Sequence, residues 1–360
     1  MKPKVKKALV IAGISVGGVL ALTLTFVGGF LIYASSTTLQ VKPEAKVEVV
    51  DRASAKVNPA SDMRIVTWNM GYGALDEKAD FYMDGGKTVN GESVTTIYRN
   101  TYAIMNEIET LNPDVFFIQE VDIHSQRSYY VQERDMFLRN FPEYDNSYAC
   151  NFKAGFIPIP IGDPMGTVEA GITSFSKFDV IDASRQQLPI PFSWPISLFN
   201  LKRCLLVNRS PIEGSDKELV TVNLHLEAYD DGEGKAKQLA QLMGFLQAEY
   251  NKGNYVIAGG DFNQTFSNVD LTKYPKMNDW VCPIIDVTKY SDFTFSMDDT
   301  IPTCRSLNKP YFDSDKATHQ YYMLDGFITS NNIEVKGIET LDLGFKNTDH
   351  NPVMMNIKLK

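Results

Sequence analysis

The sequence is poor in cysteine and has no excess of positive charge. Its 360 residues contain four cysteines, none of them in a Cys-x-x-Cys pair, which disfavours a structural zinc site. Outside the cytoplasm one or two disulfides are compatible with these cysteines, whereas Cys204, in an apolar run, fits a buried free thiol equally well. The formal net charge of −9 disfavours tight nucleic-acid binding by charge alone. It does not exclude a nuclease, because bound divalent cations can reverse the local potential.

Charge is also missing from residues 8–34, which follow a basic tail. This run is longer than the roughly 20 apolar residues that a membrane-spanning helix requires, and longer than the roughly 7–15-residue apolar core of a signal peptide. No small-residue cleavage site follows it, which favours a retained anchor. Because basic residues stay in the cytoplasm, we expect the tail there and everything after Ser35 on the outer side of the cell membrane.

The chain therefore divides into four predicted parts. Residues 1–7 form a cytoplasmic basic tail and residues 8–34 a transmembrane helix. Residues 35–61 form a polar tether with Pro43 and Pro59, and with a short extended piece at 46–50. Residues 62–360 form a folded domain, since their length and composition suffice for a large core.

The folded domain alternates apolar runs with helical patterns. Apolar residues recur every three to four positions over 94–111, after Ser93 as a candidate N-cap. Helices are also predicted over 129–141 and 234–250. Strands are predicted over 64–69, 114–118, 201–207, 219–226, 254–258, 321–328 and 352–359. No fixed repeat period is present, and the pattern predicts two sheets packed face to face, with helices outside and polar residues gathered at one end of the strands.

Polar residues stand at the ends of these runs, and several also have a structural explanation. Asn69 closes the first strand, where asparagine commonly forms a turn, and His225 shares one face of an alternating strand with Asn223. Glu120 is harder to explain as a solvent-facing residue, because a strand of four apolar residues leads to it. If it is buried it needs a partner, and a metal ion is one economical choice.

Three further motifs carry carboxylates. Asp261 and Asn263 follow two glycines and can point to the same side, which fits metal or phosphate chemistry better than a plain turn. Asp325 lies within an apolar strand, and a buried acid near a histidine commonly orients the imidazole. Asp349 and His350 form an acid–imidazole pair before the last strand, although such a pair alone is equally compatible with a structural role.

Two segments are apolar, rich in proline and too irregular for core strands: residues 155–161, and residues 188–201 with Trp194. We name these two segments together the apolar lip. They are compatible with loops packed on the body of the domain, or with an exposed surface that touches lipid or an apolar substrate.

Taken together and in order, these motifs resemble the endonuclease/exonuclease/phosphatase superfamily, of the deoxyribonuclease I-like type. The resemblance covers about Met63 to Lys360 and rests on Trp68-Asn69, Ile118-Gln119-Glu120, Asn223-Leu224-His225, Gly260-Asp261-Phe262-Asn263, Leu324-Asp325 and Asp349-His350. It implies an α/β (α+β) fold, a four-layer α/β/β/α sandwich, and Mg²⁺-dependent phosphoester hydrolysis, with Mn²⁺ or Ca²⁺ as alternative ions. It also implies Glu120 as the main metal ligand, with Asn69 beside it and Asp349 sharing the ion.

The resemblance further implies catalytic roles. His350, oriented by Asp325, would act on the scissile phosphate as acid, base or charge stabiliser. Asp261 would align or deprotonate the attacking water. Asn263 and His225 would bind phosphate oxygens. The same chemistry follows from general requirements, because phosphodiester cleavage needs a nucleophile in line, neutralised charge and a protonated leaving oxygen.

The chain departs from two groups of the family. Nuclease members carry a Thr-Trp stretch where residues 302–305 read Pro-Thr-Cys-Arg; Arg305 is a candidate phosphate contact, with a surface salt bridge as the alternative. The Gly-Leu pair that precedes the metal-binding glutamate of phosphoinositide phosphatases is missing before Gln119. We therefore expect a membrane-anchored, outward-facing phosphodiesterase or phosphatase that acts on a lipid headgroup or a small phosphoester. The alternatives are an outward-facing nuclease for DNA or RNA, and a catalytically inactive binding module, which the complete set of acids and histidines disfavours.

Overall fold

The computed structural model describes residues 3–230, 232–274, 276–277, 280–312 and 316–360. Met1 and Lys2 of the predicted basic tail lie outside this range. The α-helices are α1 Pro3–Thr37, α2 Val94–Leu111, α3 Glu133–Asn140 and α4 Glu233–Asn251. The strands in chain order are β1 Glu44–Lys46, β2 Val49–Val50, β3 Met63–Asn69, β4 Val115–Asp122, β5 Asp145–Ile157, β6 Gly166–Ser176, β7 Asp182–Gln187, β8 Cys204–Pro211, β9 Glu218–His225, β10 Tyr255–Asp261, β11 Thr265–Phe266, β12 Ile284–Ile285, β13 Phe293–Ser296, β14 Cys304–Arg305, β15 Tyr321–Tyr322, β16 Asp325–Ser330, β17 Ile333–Thr340 and β18 Val353–Leu359.

Two seven-stranded sheets form the centre of the domain. The first has the order β1-β7-β8-β9-β10-β16-β13, and the second the order β17-β18-β3-β4-β6-β5-β2. Apolar residues of both sheets meet between them, including Phe117, Ile257 and Phe327. Helix α4 packs on the outer face of the first sheet, and α2 and α3 pack on the outer face of the second. These layers confirm the predicted α/β/β/α sandwich.

Helix α2 has the predicted bounds because both of its ends are capped. The Ser93 side chain accepts a hydrogen bond from the Thr96 amide at 3.1 Å, and Asn112 ends the helix with a φ of +46°. Between them Ile104 and Ile108 are fully buried against the second sheet. Burial of each such side chain stabilises the fold by roughly 1.5–3 kcal/mol.

Helix α3 is shorter than the predicted 129–141. Tyr129 and Tyr130 have φ values of +54° and +58°, which no α-helix accommodates, so the chain turns there and the helix begins at Glu133. That glutamate is buried, and its carboxylate accepts a hydrogen bond from the Asp122 amide at 2.7 Å.

Residues 35–61, for which we predict a tether, run along the domain and pair with both sheets. β1 pairs with β7 at the edge of the first sheet, and β2 pairs with β5 at the edge of the second. The short extended piece predicted at 46–50 thus belongs to two edge strands.

The layer between the sheets changes from apolar to polar towards the carboxyl end of β4 and β9. Asn223, which the sequence places on a polar face of β9, is fully buried there and accepts a hydrogen bond from Gln119 of the opposite sheet at 2.8 Å. All four cysteines are free thiols, and Cys204 is one of the buried ones, so of the two alternatives the free thiol is the one observed. The polar end of this layer is where the candidate site lies.

Helix α1 is long and apolar enough to cross a membrane, with a mean hydropathy of 2.2 over its most apolar window. This criterion concerns length and composition alone, and a signal sequence fulfils it as well.

Candidate active site

Strand pairing places three of the predicted residues side by side. Strand β10 lies between β9 and β16, and its last residue, Asp261, is in register with His225 on one side and with Asp325 on the other. The preceding Gly260 permits this close approach: its φ is +148°, and a Cβ there would lie 1.9 Å from the backbone oxygen of Leu224. The His225 Nε2 and Asp261 Oδ2 atoms are 3.3 Å apart.

A distortion of β4 turns Glu120 into the same space. The β4–β6 pairing has a register shift between Ile118 and Val121, and Glu120 has a φ of +56°. A non-glycine residue in this conformation is strained, and strain of this kind is concentrated at functional sites. Asn69 Nδ2 donates to Glu120 Oε1 at 3.1 Å and to Asp261 Oδ2 at 3.2 Å, so Asn69 connects the ends of the two sheets.

The loop before β18 brings the imidazole into the cluster. It is held on β3, since Thr348 Oγ1 donates to the Asn69 carbonyl oxygen at 3.1 Å and the Trp68 indole donates to the His350 carbonyl oxygen at 2.9 Å. His350 Nδ1 donates to Asp325 Oδ2 at 2.8 Å. This bond directs Nε2 towards the cluster, 3.9 Å from Asp261 Oδ2 and 3.8 Å from Asp349 Oδ2.

Burial and neighbouring charges give the two histidines opposite characters. Burial alone would lower the pKa of His350, but the Asp325 carboxylate and its hydrogen bond raise that pKa well above the usual range. Burial, and next the charge of Arg203, lowers the pKa of His225 well below its usual range. Burial, together with the charge of Asp325, raises the pKa of Asp261 to about 7. These shifts favour the protonated form of His350 and the neutral form of His225.

The donor set fits a hard divalent cation. Glu120 and Asp349 offer carboxylate oxygens, which Mg²⁺ and Ca²⁺ prefer as ligands. Asn69 turns its Nδ2 towards Glu120 and Asp261, while its Oδ1 accepts a hydrogen bond from the Gly71 amide at 3.0 Å. Burial raises the pKa of Asp349, and of its charged neighbours His350 lowers this pKa while Glu120 raises it. A cation bound by Glu120 and Asp349 would relieve the repulsion between the two carboxylates. Cys304 lies near Asp349 and His350, but burial raises the pKa of its thiol to about 12, which disfavours it as a ligand.

The lining of the site also includes cationic side chains, one of which sequence reasoning missed. Arg203 is 3% exposed, and its Nε and Nη1 have no hydrogen-bond partner among the described residues, although Glu227 lies 3.8 Å from Nε. His225 Nδ1 and Arg305 Nε are also unpartnered within that part of the chain. The sequence contains a signal for this residue. Arg203 lies within the predicted strand 201–207, and a charged residue there is as conspicuous as Glu120 after its apolar run.

Arg203, His225 and Arg305 line one cavity of about 750 Å³, although their unpartnered nitrogen atoms are themselves buried. Glu120, His225, Asp261, Asn263, Arg305, Asp349, His350 and the missed Arg203 line it, while Asn69 and Asp325 are buried beside these residues. A surface salt bridge for Arg305 is wrong: the side chain is 1% exposed and donates to the carbonyl oxygens of Asp76 and Ser306 at 2.6 and 3.1 Å. Every predicted site residue is thus part of one cluster or its immediate support.

The comparisons with known proteins agree with this geometry. The sequence profile of the Endonuclease/Exonuclease/phosphatase family matches residues 66–350, which include every predicted site residue. No curated protein matches the chain in sequence.

Solved structures are similar in fold. A structure of an endonuclease/exonuclease/phosphatase from Beutenbergia cavernae has a TM-score of 0.56 at 16% identity, and the match covers 83% of this chain and 72% of that one. The human Nocturnin catalytic domain with a bound sulfate anion has a TM-score of 0.52 at 16% identity over 87% and 98% of the two chains. An endonuclease/exonuclease/phosphatase from Bacteroides vulgatus has a TM-score of 0.51 at 15% identity over 83% and 100%. At these identities the likeness extends to the fold alone.

Proposed function

Since this chain belongs to the endonuclease/exonuclease/phosphatase family, we propose that it is a membrane-anchored, divalent-metal-dependent hydrolase of phosphoesters, with its catalytic domain on the outer side of the cell membrane. The observation that carries this proposal is the cluster of Glu120, Asp261, Asp349 and His350, which lines the same cavity as Arg203. Acids, a proton donor and an anion-binding group are the parts that phosphoester hydrolysis requires.

The proton transfers are assigned to Asp261 and His350. Asp261 aligns the attacking water and accepts its proton, because a carboxyl with a pKa of about 7 is a suitable base near neutral pH. As the new P–O bond forms, the ester P–O bond breaks, and the protonated His350 gives its Nε2 proton to the leaving oxygen. Asp325 keeps the imidazole in this orientation through the 2.8 Å bond to Nδ1.

The remaining polar residues bind the phosphate. Arg203, Arg305 and His225 line the cavity, and each has a buried nitrogen without a hydrogen-bond partner among the described residues. An anionic oxygen that reaches these nitrogens would satisfy them. Asn263 has a φ of +50°, and its side-chain Nδ2 already donates to the Leu226 carbonyl oxygen at 2.9 Å. A contact with the phosphate therefore has to use the same side-chain amide. Asn263 is assigned as a phosphate contact, and Arg305 as a phosphate contact of lower strength.

The metal centre is assigned to Glu120, Asn69 and Asp349. A divalent ion bound there, Mg²⁺ or alternatively Mn²⁺ or Ca²⁺, would neutralise the charge that grows on the phosphoryl oxygens. Asn69 has a second task, because its amide hydrogens hold Glu120 and Asp261 in place.

A lipid headgroup or a small phosphoester fits the site better than nucleic acid does. Nucleic-acid interfaces are strongly positive and polar, whereas the chain has a net charge of −9. The cavity that contains the cluster is lined largely by apolar side chains, including Phe152, Ile157, Met165 and Phe199. Such a lining suits a substrate with an apolar part.

The test is hydrolysis by the full-length protein in phosphatidylcholine vesicles, with and without Mg²⁺. Bis(p-nitrophenyl) phosphate, a phospholipid and plasmid DNA are supplied in parallel. His350→Ala is expected to lower turnover by about 10²–10⁴-fold, the usual contribution of a general acid or base. His124→Ala is the matched control, because His124 is exposed and does not line the cavity.

Two results would contradict the proposal. Near wild-type turnover in His350→Ala would remove that residue from the mechanism, and activity that chelation leaves unchanged would remove the metal. DNA cleavage that depends on Mg²⁺ and His350, without lipid turnover, would favour a nuclease instead.

A further inference from the structure

We infer that the cavity opens towards the outer leaflet of the membrane beside α1, and that it receives a hydrocarbon chain of the lipid whose phosphoester reaches the Glu120–His350 cluster. The inference deepens the proposed function and rests on it for the phosphoester chemistry. The apolar lip, residues 155–161 and 188–201, forms the entrance.

The first observation is that α1 docks on the same segments that line the cavity. Phe30 of α1 stacks on Phe199 of the lip, with ring centroids 5.8 Å apart and ring planes 8° from parallel. The Gly155 amide donates to Thr37 Oγ1 at 3.3 Å, and Lys202 Nζ donates to Thr38 Oγ1 at 2.7 Å. The end of the helix is therefore attached to the domain at the cavity wall.

The second observation is the depth of this attachment. Phe30 lies four residues before residue 34, the end of the predicted membrane span, and a helix rises about 1.5 Å per residue. Phe199 therefore lies about 6 Å on the membrane side of the end of that span. A loop held at this depth enters the interface between water and hydrocarbon.

The third observation is the set of apolar side chains that the lip leaves exposed. Ile161 is 97% exposed and Trp194 62%, and the set also includes Phe156, Ile159 and Ile196. Patches of this kind on a soluble face are unfavourable unless another surface covers them, and tryptophan is enriched at the membrane interface. Because the patch adjoins a helix apolar enough to span a bilayer, the surface that covers it is the lipid leaflet.

The fourth observation is continuity between the lip and the catalytic cluster. Ile159, Ile196 and Phe199 of the lip line the same cavity as Glu120 and His350. Phe152 and Met165, which are outside the lip, also belong to the apolar lining of this cavity. One end of the cavity therefore binds a phosphate and the other a hydrocarbon chain, which is the shape of a membrane lipid.

The position of the lip is tested without any turnover. Full-length protein is reconstituted in phosphatidylcholine vesicles with and without bromine atoms on one acyl chain, since bromine quenches nearby tryptophan. The chain has three tryptophans, and Trp194→Phe identifies the contribution of the lip. Trp68→Phe is the control, since Trp68 is 2% exposed and does not line the cavity. We expect brominated lipid to quench the Trp194 emission. Equal emission in both vesicles, or quenching that Trp194→Phe leaves unchanged, would overturn the inference.

The hydrocarbon site is tested by calorimetric binding of butyl and octyl phosphate to the same reconstituted protein, with empty vesicles as the blank. Octyl phosphate is expected to bind at least about tenfold more tightly, because a buried methylene strengthens binding by up to about fourfold. Ile159→Asp, at the entrance, should remove this advantage, and Ile181→Asp, equally exposed but outside the cavity, should retain it. Equal affinity for both phosphates would overturn the inference even if the protein hydrolyses phosphoesters. Absence of hydrolysis with the chain-length dependence intact would overturn the proposed function alone.

Discussion

The closest approach between two strands at the site occurs at Gly260, and Gly260→Ala is the sharpest test of how the fold places Asp261. A methyl group at this position would lie 1.9 Å from the Leu224 backbone oxygen, which no side-chain movement can relieve. The φ of +148° adds strain, since this region is essentially restricted to glycine and costs about 1–3 kcal/mol for other residues. The strands β9 and β10 must therefore separate, and the Asp261–His225 contact must lengthen.

We expect Gly260→Ala to lose about 3 kcal/mol or more of stability, from strain and displaced backbone together. In thermal unfolding of the full-length protein this is a decrease in Tm of roughly 5 °C, because an unfolding entropy of about 2.1 cal/mol/K per residue gives about 1.6 °C per kcal/mol for a domain of roughly 300 residues. Hydrolysis of bis(p-nitrophenyl) phosphate should fall in the same variant at temperatures where it remains folded.

The matched control is Gly244→Ala in α4. Gly244 has no atom within 4 Å of an added Cβ, and alanine in a helix interior is favoured over glycine by about 1 kcal/mol. The same substitution should therefore raise the Tm here without changing turnover. If Gly260→Ala were as stable and as active as Gly244→Ala, the placement of Asp261 by the β9–β10 approach would be refuted.

Three further predictions concern the anion site, the metal centre and the fold. Arg203→Gln should raise the inhibition constant of inorganic phosphate at least about tenfold, since a hydrogen bond to a charged group contributes about 1.5–3 kcal/mol. The control is Arg139→Gln, at an exposed arginine. If Arg203→Gln has no larger effect than this control, Arg203 does not belong to the site. Mg²⁺ at about 100 times its Kd should stabilise the protein by about 2.7 kcal/mol and so raise its Tm. Glu120→Gln should abolish this rise in Tm. If the variant shows the full rise, the ion binds elsewhere. Burial opposes ionisation of Glu249, but hydrogen bonds from Arg209, Lys252 and Asn254 lower its pKa from 4.5 to about 2. The ionised Glu249 therefore contributes about 3 kcal/mol to stability, which is complete above pH ~4.5 and is lost as the pH falls towards ~2. Glu249→Gln should flatten the dependence of unfolding on pH across that window. An unchanged acid profile in this variant would contradict the assignment.

The parts of the fold that the sequence predicts well are those with a local cause. Helix α2 has its cap, its apolar period and its terminating residue within 20 consecutive positions, and its bounds are confirmed. The site residues are identifiable for a similar reason, because an acid such as Glu120 or Asp325 is conspicuous next to a run of apolar residues. Burial of an ionisable side chain requires a partner, so the position of such residues in the sequence is enough to indicate a site.

The parts that the sequence does not predict depend on distant contacts. Whether residues 35–61 stay free or pair with sheet edges is decided by β5 and β7, more than 90 residues away along the chain. The positive φ of Glu120 lies at the register shift between Ile118 and Val121, where the pairing of β4 with β6 is interrupted. Arg203 comes close to the site only through the fold, which places it near His225 at the carboxyl end of β9, and its charge accordingly lowers the pKa of that histidine.

The position of the site within the sandwich also explains how the fold tolerates its buried charges. Between the sheets, Phe117 and Ile257 are buried among apolar neighbours at one end, so that end of the layer needs no polar partner. At the other end Asp261 and Asp349 are buried near each other and near Glu120, and burial raises the pKa values of both aspartates. Such a cluster reduces the stability of the empty fold, because charges without full compensation are costly to bury. The apolar end supplies the stability that offsets this cost, and a cation and a phosphate are the groups that would remove it. The same imbalance that lowers the stability of the fold is therefore the driving force for binding the ion and the substrate.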